Sequence, residues 1–537
     1  MMKHKEKNME NNKGMVLSEE EKEKREKKKE LWKKKEYLCQ VKLIDIKTGR
    51  NVVVLNEKEA EENDIYNGYR VILKHNGREI IAIVDLSSKM VKPGEIGLFG
   101  DIAEELNVGD KDLIRVKHME KPASLEFIKL KLDGESLNEE QMSTIIRELM
   151  KNRISEAEQS AFVAAVYMKG LGEDETVALT KAIVESGEML DLGKGPIADK
   201  HCIGGVAGNR TTLVVVPIVA AAGIYIPKTS SRAITSAAGT ADTMEVIADV
   251  NFNTDELREI VLKAKGAMVW GGGTNIASAD DKLIKIRHPL SLDPRGMLLA
   301  SILAKKYAVG AKYVAIDIPI GLGAKIHDIP RAEMLGNDFI KIGKRLDMSI
   351  ESLITDGAEP VGNGIGGALE CRDVMRVLQG GGPNDLKNKS TLLAGKILEL
   401  SGKVPEGKGR ETAEMMVTNG NAWKKMQEII ELQGGNPKIK EDDLPIGPHK
   451  HTIAAKKGGR ISHIDNKDIN KIARAAGCPR DKGAGVYLHR VKGDKVKPGE
   501  PLFDIYAESE TKLDFAIKAV DVWKPVELEK FLLGTMR

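Results

Sequence analysis

The chain has 537 residues, 41% of them hydrophobic and 30% charged, which is enough for about two to four globular domains. Its 83 basic and 80 acidic residues leave a formal charge of only +3, without the basic excess expected of a sequence-independent nucleic-acid binder. No apolar run approaches the roughly 18 residues that a membrane span needs. We therefore expect a multidomain protein that acts on small molecules, with neither a nucleic acid nor a membrane as partner.

The cysteines and the start of the chain favour a reducing compartment. The start, MMKHKEKNMENNKG, lacks the hydrophobic block of a secretory signal. The cysteines form no CxxC pair, which argues against a disulfide framework or a zinc site of the usual spacing. The four cysteines are Cys39, Cys202, Cys371 and Cys478. We expect a cytoplasmic protein with reduced thiols.

Two segments with different patterns open the chain. Residues 1–35 are dominated by Lys, Glu and Asn and predict a solvated, flexible charged tail, with an interaction arm as the alternative and Met15 as an alternative start. Residues 36–120 contain the short runs VKLIDI, NVVVL, YRVILKH and EIIAIVDL, separated by turn sequences such as KTGR and HNGRE. This alternation predicts a small N-terminal β domain.

The pattern changes to a helical period over residues 121–192. In LNEEQMSTIIRELM, Asn138 and Gln141 have the spacing of a capping box, and an apolar stripe at helical spacing follows. Ser155 and Glu158 open a second helix in the same way, and DETVALTKAIVESG predicts a third that ends at its glycine. We expect a helical domain, to which further helices from the central region contribute.

The remainder of the chain predicts two more domains. Over residues 193–435, apolar runs such as TTLVVVPIVAAAGI, readable as a buried helix or strand, and YVAIDIPIG alternate with helical stretches such as PRGMLLASILAKKYA, which is typical of an α/β layer. Residues 436–537 return to short strands, including AGVYLHR and PLFDIYAE, and predict a C-terminal α+β lobe. The predicted fold class is therefore multidomain α/β, with a small β domain, a helical domain, a central mixed α/β domain and an α+β lobe.

Two glycine-rich stretches of the central domain carry the chemistry. They are DKHCIGGVAGNRTT at 199–212 and KTSSRAITSAAGTADTMEV at 228–246, and each combines small residues and hydroxyls with a cation, Lys200 in the first and Arg232 in the second. Such loops are typical of anion-binding cradles at the ends of strands. Neither contains the Gly-Lys-Ser/Thr of a P-loop or the GxGxxG dinucleotide fingerprint.

These stretches resemble a known family. KHCIGGV followed by SSRAITSAAGTADTMEV is similar to the paired signatures of the thymidine phosphorylase family, whose members carry a KHSTGGV-like loop. The SSRAITS form, the segment HPLSLDPRGMLLASILAKK and an additional N-terminal β domain resemble the archaeal AMP phosphorylase branch of that family. The resemblance covers the chain from about Tyr37 to the C-terminus.

The resemblance implies reversible phosphorolysis of AMP, and also of CMP and UMP, to the free base and ribose 1,5-bisphosphate. It implies no cofactor, inorganic phosphate being a substrate, and a homodimer or larger homo-oligomer. The residues implied for phosphate are Lys200, Cys202, Thr211, Thr212, Ser230 and Thr240. Those implied for the nucleotide are Gly205, Ser231, Arg232, Ala233, Ile234, Thr235, Ser236, Thr240, Ser301 and Lys325.

The resemblance also assigns the groups around the leaving base. Asp293, in SLDPRG, is implied as the proton donor to the base, although Asp-Pro is also an ordinary turn and helix-entry pair. A donor carboxyl at neutral pH needs a raised pKa, so we expect a partly desolvated site around it. His201, Arg287 and Lys305 are candidate base contacts. The alternatives are a structural role for His201 and a solvated helix face carrying Lys305 and Lys306.

Cys202 is open to two interpretations. A thiol beside Lys200 and His201 suits a nucleophile, whereas the surrounding glycines and hydroxyls suit a phosphate cradle in which many relatives carry serine at this position. A thiol is a poorer hydrogen-bond donor than a hydroxyl, so its own phosphate contact is open. We expect no metal site, because no His, Asp or Glu cluster has ligand spacing and HKH at 449–451 is interpreted as a surface loop.

Three other functions remain at this stage. A pyrimidine-nucleoside phosphorylase would share the phosphate site and act on a substrate without the 5′-phosphate. A phosphoribosyltransferase of the anthranilate type has similar loops and requires magnesium. A non-catalytic nucleotide-binding module would keep the cradle without the reaction.

Overall fold

The computed structural model describes residues 36–63, 65–119, 121–193, 195–233, 236–290 and 292–529, so the predicted charged tail lies outside the described residues. The chain divides into two compact units. The first comprises the described parts of 1–130 and 147–162, and the second those of 131–146 and 163–537. None of the described helices combines the length and the apolar character needed to cross a lipid bilayer.

The N-terminal β domain is a closed barrel with the strand order β1-β5-β2-β4-β3-β6. Alternate residues of its strands, such as Val71 and Leu73, point into a buried apolar core, as the period of two predicts. The pairs β1-β5 and β2-β4 are parallel and the remaining pairs are antiparallel. The strands are β1 (Glu36–Ile44), β2 (Val52–Asn56), β3 (Arg70–His75), β4 (Arg78–Ser87), β5 (Glu95–Phe99) and β6 (Leu113–His118), with helices α1 (Glu57–Glu62) and α2 (Gly100–Leu106).

The predicted helical segments form with the predicted caps. The Asn138 side chain accepts from the Gln141 N–H at 2.9 Å, and the Gln141 side chain accepts from the Asn138 N–H at 3.0 Å. Ser155 and Glu158 make the same reciprocal pair. Both capping boxes are therefore confirmed. The helices are α3 (Ser124–Asp133), α4 (Glu139–Met150), α5 (Glu156–Lys169) and α6 (Glu173–Glu185).

A layer of parallel strands forms the centre of the second unit. Strands β11-β10-β7 form one parallel sheet and β8-β9 another, and a bridge between Ile197 and Tyr225 joins β7 to β8. The run LVVVPIVAAAGIYIP, readable as either helix or strand, belongs to a helix whose residues are almost all buried, followed by a strand. The strands are β7 (Ala198–Cys202), β8 (Ile226–Ser230), β9 (Gly266–Trp270), β10 (Tyr313–Ile320) and β11 (Ser349–Asp356). The helices are α7 (Thr211–Ala221), α8 (Thr240–Met244), α9 (Thr254–Ala264), α10 (Ser278–Arg287), α11 (Arg295–Ala308), α12 (Ile329–Arg345), α13 (Gly367–Leu378), α14 (Asn384–Leu400), α15 (Gly409–Thr418) and α16 (Asn421–Leu432), with short 3-10 turns at His288–Leu290 and Glu441–Asp443.

The C-terminal part forms the predicted α+β lobe, with sheets β12-β15-β17-β13 and β16-β14-β18. The interpretation of HKH as a surface loop is wrong, because His449, Lys450 and His451 belong to β13 and pair with β17. The elements are β12 (Gly364–Ile365), β13 (His449–Ala454), β14 (Gly459–Ile464), α17 (Asn466–Ala475), β15 (Gly485–Leu488), β16 (Lys495–Val496), β17 (Pro501–Ala507), α18 (Glu510–Trp523) and β18 (Val526–Leu528).

A buried ion cluster connects β7, β8 and α11. Asp199 on β7 is fully buried, and its carboxylate lies 2.5 Å from the Lys306 Nζ of α11 and 3.4 Å from the Lys228 Nζ of β8. The alternative interpretation, that Lys305 and Lys306 lie on a solvated helix face, is therefore wrong for Lys306, which is 1% exposed. Its charge is accommodated because Asp199 supplies a carboxylate inside the core.

We predict that Asp199→Asn lowers the free energy of unfolding by about 3–5 kcal/mol, because two buried lysines lose their counter-charge. Lys306→Met should cost clearly less, since Asp199 keeps Lys228 and one unbalanced cation is removed. Urea unfolding of the two variants beside the unchanged protein measures both effects. Equal destabilisation by the two substitutions would contradict this account of the cluster.

Candidate functional site

The candidate site lies at the carboxyl ends of the parallel strands. We name residues 203–210 after β7 the first loop, residues 231–239 after β8 the second loop, and residues 321–328 after β10 the third loop. The chain leaves β7 towards β8 on one side and leaves β10 towards β11 on the other. Neighbouring strands whose connections diverge in this way open a crevice at their carboxyl ends, which is where α/β sheets bind ligands.

Glycines allow these loops to approach closely. Gly205 has a φ of +95°, and a Cβ built there would lie 2.6 Å from the backbone nitrogen of Lys325, so the first loop packs directly on the third. A Cβ at Gly239 would lie 2.7 Å from the carbonyl oxygen of Ser231, so the second loop folds back on itself. Both contacts exclude any side chain at these positions.

The structure brings together three of the residues predicted to bind phosphate. The Lys200 ammonium donates to the Thr211 hydroxyl at 2.7 Å and lies 3.5 Å from that of Thr212. Lys200 is 1% exposed, and this burial lowers its pKa. Thr211 is the first residue of α7, where the helix dipole adds positive potential. The group is a cation with two hydroxyls at a helix N-terminus, which suits an anion.

Cys202 is a protonated thiol at neutral pH. Burial, followed by the nearby Asp317, raises its pKa to about 11, and the Asn209 amide donates to its sulfur at 3.4 Å. A reactive cysteine needs the opposite shift, so the environment disfavours the nucleophile interpretation.

Asp317 on β10 lies opposite Cys202 and bonds side chains of two other elements. Sequence reasoning missed this residue. It accepts from the Thr355 hydroxyl at 2.6 Å and pairs with the Lys389 ammonium of α14 at 3.2 Å. Asp317 is fully buried. A lone carboxylate inside the apolar run YVAIDIPI was the available signal, because such a group needs buried partners.

The second loop is held by carboxylates of α8 and the residue that follows it. Arg232 bonds both Glu245 oxygens, at 2.6 and 2.7 Å, reaches Asp242 at 3.3 Å and lies over the Trp270 ring. Asp242 also accepts the backbone N–H groups of Ala233 and Gly239, each at 2.7 Å. Arg232 is thus paired with carboxylates and holds the loop in shape. The sequence had instead predicted Arg232 as a cation available to bind an anion.

The other residues predicted here are placed as follows. The Ser230 hydroxyl at the end of β8 donates to the Val269 carbonyl, and that of Ser236 donates to Ala238. Thr240 opens α8 and Ser231 is exposed in the second loop. Ile234 and Thr235 lie outside the described residues.

The predicted base contacts form two cation–carboxylate pairs on α10 and α11. Arg287 lies 3.0 Å from Asp293, whose side chain is 47% exposed, so the desolvated environment expected for Asp293 is absent from the structure. Lys305 lies 2.7 Å from the buried Asp280. Burial by itself lowers the pKa of Lys305, but Asp280 outweighs this and raises it. The solvated-face alternative therefore fails for Lys305 as well.

His201, Ser301 and Lys325 complete the set. Burial and the ammonium groups around His201 hold its pKa well below the usual value, so the ring is neutral at physiological pH. Ser301 is buried on α11 and Lys325 is exposed in the third loop. Within the described ranges, no three His, Cys, Asp or Glu side chains are grouped so that they could hold a metal ion.

Comparison with known proteins identifies the family. Residues 125–187 match a glycosyl transferase family helical bundle domain, 194–423 a glycosyl transferase family a/b domain, and 460–523 a pyrimidine nucleoside phosphorylase C-terminal domain. The chain is 45% identical over 496 residues to an AMP phosphorylase of Thermococcus kodakarensis, covering 92% of this chain and 98% of that one. The chain belongs to the AMP phosphorylase family. The resemblance read from the two loops is confirmed, and the protein is a phosphorylase of the glycosyl-transferring class.

Other AMP phosphorylase family members show the same coverage. The Pyrococcus furiosus AMP phosphorylase is 45% identical over 494 residues, 92% of this chain and 98% of its own, and AMP phosphorylase 1 of Archaeoglobus fulgidus is 43% identical over 491 residues, 91% and 97%. Among solved structures, anthranilate phosphoribosyltransferase from Thermus thermophilus superposes with a TM-score of 0.50 at 19% identity, covering 57% of this chain and 99% of that one. This last likeness concerns the fold, and it agrees with the predicted α/β class.

We predict that Cys202→Ser retains phosphorylase activity within roughly threefold or improves it, because a hydroxyl is a better donor than a thiol. Cys202→Ala should lose little, and steady-state rates with varied phosphate measure both. A loss of several orders of magnitude in a folded Cys202→Ser protein would restore the nucleophile interpretation.

Proposed function

We propose that the protein catalyses the reversible phosphorolysis of AMP, in which phosphate replaces adenine at C1′ and yields adenine and ribose 1,5-bisphosphate. CMP and UMP are further proposed substrates. The observation that carries the proposal is the match to proteins named AMP phosphorylase over 98% of their length. The buried Lys200 cradle at the sheet crevice supports it, because it provides a place for the attacking anion.

Positioning supplies most of the proposed rate. Phosphate held by Lys200, Thr211 and Thr212 lies ready to approach C1′ as the glycosidic bond stretches and positive charge develops on the ribose. The second loop would take the 5′-phosphate through its backbone N–H groups and hydroxyls. Arg232 keeps that loop in shape through its bonds to Glu245 and Asp242.

Asp293 is the proposed proton donor to the leaving base. In the structure it faces solvent and Arg287, so the proposal requires that the bound base excludes water from this carboxyl. The lowered pKa of His201 supports assigning the acid role to Asp293, because a neutral imidazole is a far weaker acid than an imidazolium.

The remaining parts of the proposal concern conditions and assembly. Phosphate is itself the nucleophile, so we propose a reaction without metal or organic cofactor. We also propose a homodimer or larger homo-oligomer in the cytoplasm, and the free thiols of the described cysteines support a reducing compartment.

A pyrimidine-nucleoside phosphorylase is the second candidate. It is favoured by the match of residues 460–523 to a pyrimidine nucleoside phosphorylase C-terminal domain. Arg287 and Lys305 are cationic donors suited to the carbonyl groups of pyrimidines. The SSRAITS loop favours a substrate that carries the additional 5′-phosphate.

The deciding experiment incubates the full chain with phosphate and AMP, CMP, UMP, adenosine or thymidine, with a chelator present, and identifies the sugar product. Ribose 1,5-bisphosphate from AMP is the expected product. A sugar 1-phosphate formed only from nucleosides would replace the proposal by the second candidate. Base release only in a parallel incubation with magnesium and pyrophosphate, in place of chelator and phosphate, would indicate a phosphoribosyltransferase. Tight AMP binding without any product in either incubation would indicate a binding module.

We predict that Asp293→Asn lowers turnover of AMP by roughly 10²- to 10⁴-fold, the usual contribution of a general acid, with little change in AMP affinity. The exposed carboxylate of Glu333 on α12 provides a matched control, because Glu333→Gln should leave turnover unchanged. Turnover of Asp293→Asn equal to that of the unchanged enzyme would remove Asp293 from the mechanism.

A further inference from the structure

One face of α17, in the C-terminal lobe, contacts both glycine-rich loops. Asn466, Asn470 and Arg474 follow one another at intervals of four residues, which places them on the same side of the helix. Each bonds a backbone atom of the first or second loop. This helix face therefore connects the C-terminal lobe directly to both loops of the candidate site.

Asn466 connects the first loop with the segment after β11. It is fully buried, and its side-chain oxygen accepts the Ala207 N–H at 2.9 Å. Its amide nitrogen donates to the carbonyl oxygens of Gly357 at 3.0 Å and Ala358 at 3.1 Å. A Cβ built on Gly323 would lie 3.3 Å from that of Asn466, so the third loop also packs here. The amide thus bonds two segments, and the Cβ of the same residue packs on a third.

Asn470 performs the equivalent role for the second loop. Its side-chain oxygen accepts the Ala237 N–H at 2.9 Å, and its amide nitrogen donates to the Asn466 carbonyl at 2.8 Å. The Arg474 guanidinium donates to the neighbouring Ser236 carbonyl at 3.1 Å. The second loop is therefore held at Ser236 and Ala237.

Packing supports the same contacts. Ala207 and Ala237 are buried in the apolar core of the C-terminal lobe, together with Ile469 and Ile472 of α17. An unpaired backbone N–H in such a core costs free energy, so the two asparagines satisfy groups that water cannot reach. The loops are consequently fixed by a partner from another lobe as well as by their own glycines.

We propose that Asn466 and Asn470 are positioning residues for phosphorolysis, Asn466 setting the first loop for inorganic phosphate and Asn470 setting the second loop for the nucleotide. This inference rests on the proposed function. Neither residue touches substrate, and each acts through one backbone N–H of its loop.

The test measures the Michaelis constants of both substrates in the full-length enzyme. Asn466→Ala should raise KM for phosphate by about tenfold or more, and Asn470→Ala should raise KM for AMP by a similar factor, because each leaves a buried N–H unpaired. In each variant the KM of the other substrate should change much less. This split distinguishes positioning from a general loss of structure.

Conservative variants sharpen the test. Asn470→Asp keeps an acceptor for the Ala237 N–H and loses only the bond donated to the Asn466 carbonyl, at a partly buried position, so it should restore KM for AMP. Asn466→Asp also keeps its acceptor, but it loses both donated bonds and directs a carboxylate at the Gly357 and Ala358 carbonyls, so it should remain impaired. Rescue by aspartate is thus expected at position 470 and not at position 466.

Two controls separate stability from positioning. Lys467→Ala changes an exposed residue of the same helix and should leave both constants unchanged. Ile469→Val removes a buried methyl group and should lower the unfolding midpoint through a loss of about 1 kcal/mol while leaving both constants unchanged. If Ile469→Val shifted the constants as the asparagine variants do, the positioning role would be wrong.

The outcomes also separate this inference from the proposed function. Absence of product with the unchanged enzyme would defeat the proposed function, and the inference would then be tested by calorimetric binding of phosphate and AMP to the same variants. An active unchanged enzyme whose alanine variants show the same two constants would overturn the inference alone. A rise in both constants by equal factors in each variant would also overturn it.

Discussion

The Asp199 carboxylate is the contact on which the arrangement of the site depends. Successive residues of a strand point to opposite faces, so the four residues of DKHC on β7 place Asp199 and His201 on one face and Lys200 and Cys202 on the other. Asp199 connects β7 to Lys306 and Lys228 on its face. The orientation of β7, and with it the position of Lys200, follows from this buried ion cluster.

The opposite face of β7 repeats the arrangement with another carboxylate. Asp317 lies opposite Cys202 in the strand register and pairs with Lys389, while Lys200 bonds Thr211. A thiol fits beside Asp317 because burial and this carboxylate raise its pKa and keep it protonated. Cys202 is thus a neutral member of an ion cluster.

Sequence reasoning succeeded where the signal was local. The Asn138 and Gln141 capping box involves residues three apart, and the strand period of the β domain is visible within single segments. Closure of that domain into a barrel depends on the pairing of β1 with β5 and β6, which no local pattern records. Loop shape also depends on distant partners: Ala207 meets Asn466, 259 residues away.

The same limit applies to the site. The cations Lys200, Arg232, Arg287 and Lys305 were predictable as residue types, because anions and carbonyl groups require donors. Their pairing was not, since Asp280 and Asp293 are recognisable as partners only once α10 and α11 are packed. Asp293 was expected in a desolvated site because the implied role of proton donor needs a raised pKa, whereas the structure pairs its half-exposed side chain with the buried Arg287.

The two sides of the proposed site differ in their balance of cationic and anionic side chains. At the proposed base contacts, Arg287 and Lys305 are matched one to one by Asp293 and Asp280, so these pairs add no net charge, which would suit a neutral base. On the face of β7 that carries Lys200, the two lysines Lys200 and Lys389 lie near one carboxylate, Asp317, while Lys228 and Lys306 flank Asp199 on the opposite face. Burial lowers the pKa of Lys200. A phosphate dianion beside Lys200 would balance the excess cation on this face and favour the charged lysine, which agrees with the phosphate site proposed at β7.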